Sequence, residues 1–363
     1  MTKVLFANLT RLCNVNCPRC YLMPENRTSR LRIPEGLLAK ALQSRFFSGS
    51  TLVILQGGEP TIVGETAMQD YVSEIRSAAP HARITMVSNL FALPDWAIEV
   101  AHESFGGRIE TTWAAGKKMT LDLSETRYQT QFREGLSRAI RAGLSCPVNV
   151  ELNPETVAAG PDAILDLALE TGASAFEFDV SARFDLLREA PTFGPGNYPK
   201  VPLSIPHAVF RDFILALRRR IAARGLQDRI TSNVLRPLNE RRQDMAFNTA
   251  REGDFVTLNP DGSVTTNPLF SDLRVTWLGS LAQTGPEGEL DSILAHPDRA
   301  LRIALEEARR EPCRSCRFWD VCEGGASHFP LYDGSGECAG MKGVLERMSG
   351  EYVGGFQSEV VAC

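Results

Sequence analysis

The chain has 363 residues, 43% of them hydrophobic, and a formal net charge of −5 at pH 7. This composition supports a substantial core and excludes a disordered chain, and the negative balance argues against a polycationic nucleic-acid binder. No apolar run approaches the ~18–20 residues of a membrane span, and the N-terminus lacks the features of a signal peptide. We therefore expect a cytoplasmic protein with neither a nucleic-acid nor a membrane partner.

The first 225 residues alternate between short apolar runs and longer segments with helical periodicity. The apolar runs predict six strands, at 4–9, 51–55, 83–87, 109–113, 148–152 and 175–180. The longer segments predict helices at 35–47, 65–79, 95–102, 125–142, 162–170 and 206–223. Six strand–helix repeats are typical of parallel βαβ units and predict an α/β fold with a barrel-like sheet.

Polar residues alternate with apolar ones along the fifth and sixth predicted strands. Asn149 and Glu151 lie in the fifth strand, and Glu177 and Asp179 lie in the sixth. Successive side chains of a strand point to opposite faces, and helices must cover the apolar face. The four polar residues are therefore expected inside an open barrel that holds a polar ligand, unless these are ordinary edge strands with a solvated face.

The pattern changes after about residue 225. Segments 254–258 and 263–266 flank an Asn-Pro-Asp-Gly turn and predict a hairpin, and segment 291–310 predicts one helix. We expect a barrel at 1–225, a linker or bridging helix at 226–253, a smaller domain at 254–345 and a C-terminal tail at 346–363. The Pro- and Gly-rich segment 187–202 is expected at the carboxyl ends of the strands, where binding loops gather.

Seven of the nine cysteines form two groups near opposite ends of the chain. An odd number of cysteines in a cytoplasmic protein argues against a disulfide framework, and the close spacings favour metal. Cys13, Cys17 and Cys20 follow the first predicted strand directly. Three thiolates can hold a [4Fe–4S] cluster with one iron open to a small molecule, whereas a structural zinc ion takes four ligands.

This segment, with Tyr21 after it, resembles the CxxxCxxC signature of radical S-adenosylmethionine enzymes. Residues 57–60 resemble the GGEP motif of that family, and residues 87–89 resemble its ribose-side segment. The resemblance covers about residues 3–215 and implies a partial (β/α)6 TIM-like barrel. It implies that Cys13, Cys17 and Cys20 hold a [4Fe–4S] cluster whose open iron binds S-adenosylmethionine. The candidate cofactor-binding residues are Tyr21, Gly57, Gly58, Glu59, Ser88, Asn89, Asn149 and Glu177.

The resemblance also implies the chemistry. One electron from the cluster cleaves S-adenosylmethionine, and the 5′-deoxyadenosyl radical then abstracts a substrate hydrogen. Inward carboxylates favour a cationic group on the substrate, and Glu151 or Asp179 is the candidate general base. Cys363 lies either in a frayed tail or in a tail that returns a hydrogen atom from its thiol. Cys146, by contrast, is expected to be a buried small hydrophobe.

The second cysteine group comprises Cys313, Cys316, Cys322 and Cys338. By spacing alone these thiols suit zinc or an iron–sulfur cluster. They also resemble the C-terminal SPASM/twitch region of radical S-adenosylmethionine enzymes, which carries auxiliary [4Fe–4S] clusters. Two further cysteines of the full pattern are replaced here by Asn267 and Ala326. The resemblance therefore implies a small α+β domain with one auxiliary [4Fe–4S] cluster, and Asn267 is not favoured as a ligand.

Three functions are open on this basis. The first, slightly favoured, is oxidation, cross-linking or epimerisation of a ribosomally synthesised peptide, the commonest role of SPASM-bearing relatives. The second is a radical dehydrogenase or epimerase of a small polar metabolite such as an amino sugar. The third is a non-enzymatic iron–sulfur redox protein, against which the GGEP-like motif argues. Expected partners are an electron donor such as flavodoxin or ferredoxin and, for the peptide class, a separate peptide-recognition protein.

Overall fold

The computed structural model describes residues 2–232, 252–325 and 328–353, and side chains as far as residue 349. Its centre is a ten-stranded, mostly parallel sheet. Six parallel strands follow one another in chain order across it. They are β1 (Lys3–Thr10), β2 (Thr51–Gly57), β3 (Arg83–Val87), β4 (Ile109–Trp113), β5 (Val148–Leu152) and β6 (Ala175–Val180). The short strand β7 (Thr231–Ser232) pairs with β6 and ends the sheet on that side.

Helices connect these strands and cover the apolar face of the sheet. They are α1 (Leu37–Leu42), α2 (Glu65–Ala78), α3 (Asp95–Ser104), α4 (Glu125–Arg141), α5 (Pro154–Thr171), α6 (Phe184–Glu189) and α7 (His207–Ala223). The predicted α/β class and its parallel sheet are confirmed, and β3 to β6 have the predicted bounds. The helix predicted at 162–170 forms the second part of α5, after non-helical backbone at Gly160 (φ 76°, ψ 172°). The first part begins at Pro154, where Asn153 accepts a hydrogen bond from Thr156 N and caps it.

The predicted hairpin extends the same sheet at its other edge. It consists of β8 (Phe255–Leu258) and β9 (Ser263–Thr265), followed by β10 (Gly279–Ser280). β8 pairs in parallel with β1. The buried side chain of Asn8 on β1 donates to Asn259 Oδ1 at 2.8 Å and to Ser271 Oγ at 3.1 Å. Segment 254–281 is thus joined to the first strand through both backbone and side-chain hydrogen bonds.

The remaining helices are α8 (Leu290–Leu294), α9 (Pro297–Arg310), α10 (Trp319–Cys322) and α11 (Lys342–Val353). The prediction of one helix over 291–310 is wrong. His296 is extended, with φ −56° and ψ 134°, because Pro297 disfavours helical backbone in the residue before it. Most of the expected linker, 233–251, and the tail beyond 353 lie outside the described residues.

The core fills the space between the sheet and its helices. Val148, Val150 and Leu152 of β5 are fully buried, which explains the alternation with polar residues along this strand. Because β5 lies between β4 and β6, the edge-strand interpretation of this alternation is excluded. Cys146 is buried, as expected. No helix of the described segments is long and apolar enough to span a membrane.

Candidate functional site

The loop after β1 carries the three N-terminal cysteines. Cys13 N donates to Arg27 O at 3.2 Å, and Arg27 Nη1 donates to Asn16 Oδ1 at 2.9 Å and to Cys17 O at 3.1 Å. Residues Val15–Asn16 also pair antiparallel with Met119–Thr120, in the connection after β4. The cysteine loop is therefore fixed by its own chain and by a second loop at the same end of the barrel.

The three thiols of this loop influence one another. Burial raises the pKa of Cys13 to about 12 and that of Cys17 to about 11. Glu59, Cys17 and Cys20 add to the rise at Cys13, and Cys20 adds to the rise at Cys17. Burial likewise raises the pKa of Cys20. Lys118, Lys117 and Arg27 oppose the rise at Cys17. Buried thiols that lie this close need added positive charge to become thiolates, and an iron–sulfur cluster supplies it.

Gly57 and Gly58 stand where two backbones meet. A Cβ on Gly57, whose φ is 146°, would lie 2.1 Å from Thr10 O, and one on Gly58 would lie 2.3 Å from Leu12 O. Gly58 N donates to Thr10 O at 2.8 Å. Glycine is required here because the end of β2 packs against the end of β1.

Glu59 joins the carboxyl ends of β2 and β3. Its Oε1 accepts from Thr61 N at 3.2 Å, from Thr61 Oγ1 at 2.8 Å and from Ser88 Oγ at 3.0 Å. Its Oε2 accepts from Asn89 N at 2.8 Å. Burial raises the pKa of Glu59, and these hydrogen bonds oppose the rise. The carboxylate thus orders both strand ends beside the cysteine loop.

Asn89 and Tyr21 link the cysteine loop to these strand ends. Asn89 Nδ2 donates to Asn14 Oδ1 at 2.8 Å and lies 3.8 Å from Cys13 Sγ. The Tyr21 hydroxyl donates to Gly57 O at 3.1 Å. The three motifs singled out in the sequence are therefore hydrogen-bonded to one another at one end of the barrel.

Polar residues of β5 and β6 lie in matching positions. Asn149 is opposite Glu177, and Glu151 is opposite Asp179. Burial raises the pKa of Asp179 well above its ordinary value, Glu177 and Glu151 add to the rise, and a hydrogen bond from Asn149 opposes it. Asp179 therefore holds its proton to higher pH than an exposed carboxyl does.

Two lysines that the sequence analysis did not single out lie in the same region. Lys117 forms an ion pair with Glu151, and Lys118 Nζ donates to Thr112 O at 2.6 Å. Each lysine is only 7% exposed. Burial raises the pKa of Glu151, but Lys117 and then Lys118 lower it, and the net shift is downward. The sequence signal was a pair of adjacent lysines shortly after a barrel strand, where binding loops gather.

Arg188 of α6 holds the far end of the cysteine loop. Its Nη1 donates to Cys20 O at 2.8 Å, and its Nη2 donates to Pro18 O at 3.0 Å. Arg188 lies in the segment expected to form a binding loop, but its partner is 168 residues away in the sequence. Sequence spacing therefore gave no signal for this contact.

The four C-terminal cysteines also influence one another. Burial raises the pKa of Cys322 to about 11, and Cys338, Cys316 and Cys313 add to the rise. Cys316 N donates to Cys313 O at 2.9 Å. Across the described ranges, no three His, Cys, Asp or Glu side chains meet closely enough to hold a single metal ion. Four neighbouring thiols are a donor set that structural zinc and a [4Fe–4S] cluster share, and a cluster would bind each thiolate at a separate iron.

Asn267 has a structural role. Its Oδ1 accepts from Leu269 N at 3.0 Å and caps a short 3-10 helix, and the residue is buried. This oxygen therefore caps the helix by accepting a backbone hydrogen bond. The other two positions discussed, Ala326 and Cys363, lie outside the described residues.

Solved structures with the same fold were found by comparison of the coordinates. anSMEcpe with bound AdoMet has a TM-score of 0.70 and 15% identity over 97% of this chain and 93% of its own. anSMEcpe with AdoMet and the Kp18Cys peptide has a TM-score of 0.69 and 15% identity over 97% and 96%. Streptococcus suis SuiB bound to precursor peptide SuiA has a TM-score of 0.55 and 16% identity over 92% and 74%.

No protein-family model matches the sequence, and no curated protein matches it either. The similar structures are radical S-adenosylmethionine enzymes. The chain therefore has the α/β fold of this class of enzyme, over nearly its whole length. The expected resemblance is confirmed at the level of the fold.

Proposed function

We propose that this chain is a radical S-adenosylmethionine enzyme. The observation that carries the proposal is the hydrogen-bonded junction of the cysteine loop with the ends of β2 and β3, through Tyr21 and Asn89. Cys13, Cys17 and Cys20 would hold a [4Fe–4S] cluster with one open iron. S-adenosylmethionine would bind beside it, at the carboxyl ends of the strands, where this class of barrel places its ligands.

When bound, the cluster supplies the electron that cleaves S-adenosylmethionine to a 5′-deoxyadenosyl radical, which abstracts a substrate hydrogen. The residues of the chain position the reactants and move protons. Asn89 and Arg188 fix the two ends of the cysteine loop. Glu151, which is ionised beside Lys117, is the proposed general base, and Asp179, whose raised pKa lets it hold a proton, is the proposed proton carrier beside it.

We infer that the substrate is a ribosomally synthesised peptide. The inference is supported by two similar structures, anSMEcpe with the Kp18Cys peptide and SuiB with precursor peptide SuiA. The second candidate, a small polar metabolite such as an amino sugar, is supported by the polar faces of β5 and β6. Lys117 weakens that candidate, because it neutralises the charge of Glu151 that would attract an amine.

The proposal includes one auxiliary [4Fe–4S] cluster on Cys313, Cys316, Cys322 and Cys338, within the domain expected at 254–345. Its first test is anaerobic iron and sulfide content. We expect about eight irons per chain after reconstitution and about four in the Cys13/Cys17/Cys20→Ala variant. Cys146→Ala is the matched control, because Cys146 is a buried cysteine outside both groups and its loss should remove no iron.

Cleavage of S-adenosylmethionine tests the activity itself. With dithionite as reductant, the reconstituted protein is expected to form 5′-deoxyadenosine and the triple variant to form none. A deuterated substrate of each class then separates the two candidates, because deuterium enters 5′-deoxyadenosine only from the substrate that loses a hydrogen. Full iron loading without any 5′-deoxyadenosine would falsify the proposal in favour of an iron–sulfur redox protein.

A further inference from the structure

One face of α9 carries charged residues into the interior of the protein. Arg302, Glu306 and Arg310 follow one another at a spacing of four residues, and all three are buried. Cys313 lies three residues after Arg310, in the 3-10 turn that continues the helix. Residues three and four apart share a helix face. The buried charged face therefore ends at the first cysteine of the C-terminal group.

Arg310 is the most buried residue of this face, with 1% exposure. Its Nη2 donates to Glu306 Oε1 at 2.9 Å. Within the part of the chain that the structure describes, its Nε and Nη1 have no hydrogen-bond partner. Buried donors without an acceptor are costly and rare in proteins, so an acceptor is expected beside these two atoms.

The side chains of Arg310 and Cys313 both lie beside Gly324. A Cβ built on Gly324 would lie 3.2 Å from Arg310 Cγ and 3.3 Å from Cys313 Sγ. The two side chains thus flank the same point. The neighbouring Arg309 is engaged elsewhere, because its Nε donates to Phe329 O and its Nη1 to Gly324 O, each at 3.0 Å. Among the described residues, Arg310, unlike Arg309, therefore has N–H donors without a hydrogen-bond partner beside the cysteine group.

We propose that Arg310 donates from Nε and Nη1 to sulfur atoms of the cluster on Cys313, Cys316, Cys322 and Cys338, and that it raises the reduction potential of that cluster. This inference rests on the auxiliary cluster of the proposed function. One-electron reduction makes a cluster more negative by one unit. Glu306 balances the charge of Arg310, so the effect comes from the N–H donors at the sulfurs, which stabilise the reduced form more than the oxidised form.

The test is a redox titration of the full chain, monitored by electron paramagnetic resonance. The Cys13/Cys17/Cys20→Ala variant serves as parent, because only the C-terminal cysteine group then remains to hold iron. Adding Arg310→Met is expected to shift the midpoint to a more negative potential at unchanged iron content. Arg302→Met is the matched control, because it removes a buried guanidinium from the same face about 12 Å further along the helix.

Each outcome decides a different claim. Equal midpoints for the Arg310→Met and Arg302→Met variants overturn the role of Arg310. A parent that binds no iron overturns the auxiliary cluster itself and, with it, this inference. If Arg310→Met does not load with iron, Arg310→Lys replaces it, since lysine keeps the charge but loses the planar donor geometry. A midpoint for Arg310→Lys below that of the parent supports the inference, and an unchanged midpoint overturns it.

Discussion

Arg188 on α6 donates from Nη1 to the carbonyl oxygen of Cys20 at 2.8 Å. The same guanidinium donates from Nη2 to Pro18 O at 3.0 Å. The connection after β6 therefore holds the last cysteine of the loop after β1. The carboxyl ends of strands from opposite sides of the barrel are joined by one side chain.

We predict that Arg188→Met weakens this loop. Methionine keeps an aliphatic stem but removes the donors to Cys20 and Pro18, which should lower the free energy of unfolding by about 1.5–3 kcal/mol. Iron retained after gel filtration of the reconstituted protein should fall as well. Urea denaturation of the iron-free protein and iron analysis measure the two effects. Arg220→Met, which removes an exposed ion pair with Asp162, should change neither, and equal iron retention in both variants contradicts the prediction.

Much of the barrel could be predicted from the sequence, because its signals are local. The alternation along β4 and β5 and the apolar run of β3 fix both the type and the bounds of these strands. The helix boundary at His296 could also be predicted from the sequence, because Pro297 disfavours helical backbone in the residue before it.

Long-range contacts could not be predicted in this way. The parallel pairing of β8 with β1 joins segments about 250 residues apart, and a hairpin pattern does not reveal which edge it will extend. The cysteine and glycine motifs were recognised because each is a local pattern. Lys117 was not, because its importance depends on Glu151, which lies 34 residues further along the chain on β5.

We predict that Gly58→Ala destabilises the junction of β1 and β2. The added Cβ would lie 2.3 Å from Leu12 O and 2.4 Å from Arg11 O, and backbone atoms cannot move aside as a flexible side chain can. The cost should be about 1–3 kcal/mol, measured by urea denaturation of the iron-free protein. Gly49→Ala is the control, because a Cβ there meets nothing within 4 Å and should change stability by less than about 0.5 kcal/mol. Equal effects at the two positions contradict the packing argument.

The ion pair of Lys117 with Glu151 should be strongly coupled. Lys117→Met leaves a half-buried carboxylate without its counter-charge, whereas Lys117→Met combined with Glu151→Gln removes both charges. We therefore expect the single lysine variant to be less stable than the double variant. A double-mutant cycle from urea denaturation should give a coupling energy of about 1–3 kcal/mol. Additive effects would show that the two side chains do not interact in solution.

The stability contributed by Asp179 should depend on pH. Because burial raises its pKa well above the ordinary 3.8, the folded state binds this proton more tightly than the unfolded state does. Wild-type stability is therefore lost as pH rises from about 4 towards the folded pKa. Asp179→Asn keeps an acceptor for Asn149 but has no proton to lose. The free energy of unfolding of Asp179→Asn should exceed that of wild type by almost nothing at pH 4. The difference should grow by about 1.4 kcal/mol per pH unit across this window.

Urea denaturation of the iron-free protein at several pH values measures this difference. Asp162→Asn is the control, because Asp162 is an exposed carboxyl whose pKa is lowered, not raised, by the hydrogen bond from Arg220. Its stability relative to wild type should stay nearly constant over the same pH range, as expected of an exposed ion pair. An Asp179→Asn advantage that is the same at pH 4.5 and at pH 7.5 would mean that the carboxyl is hydrated in the folded protein. It would then not be the proton carrier proposed beside Glu151, because a hydrated carboxyl near its ordinary pKa is already ionised at neutral pH.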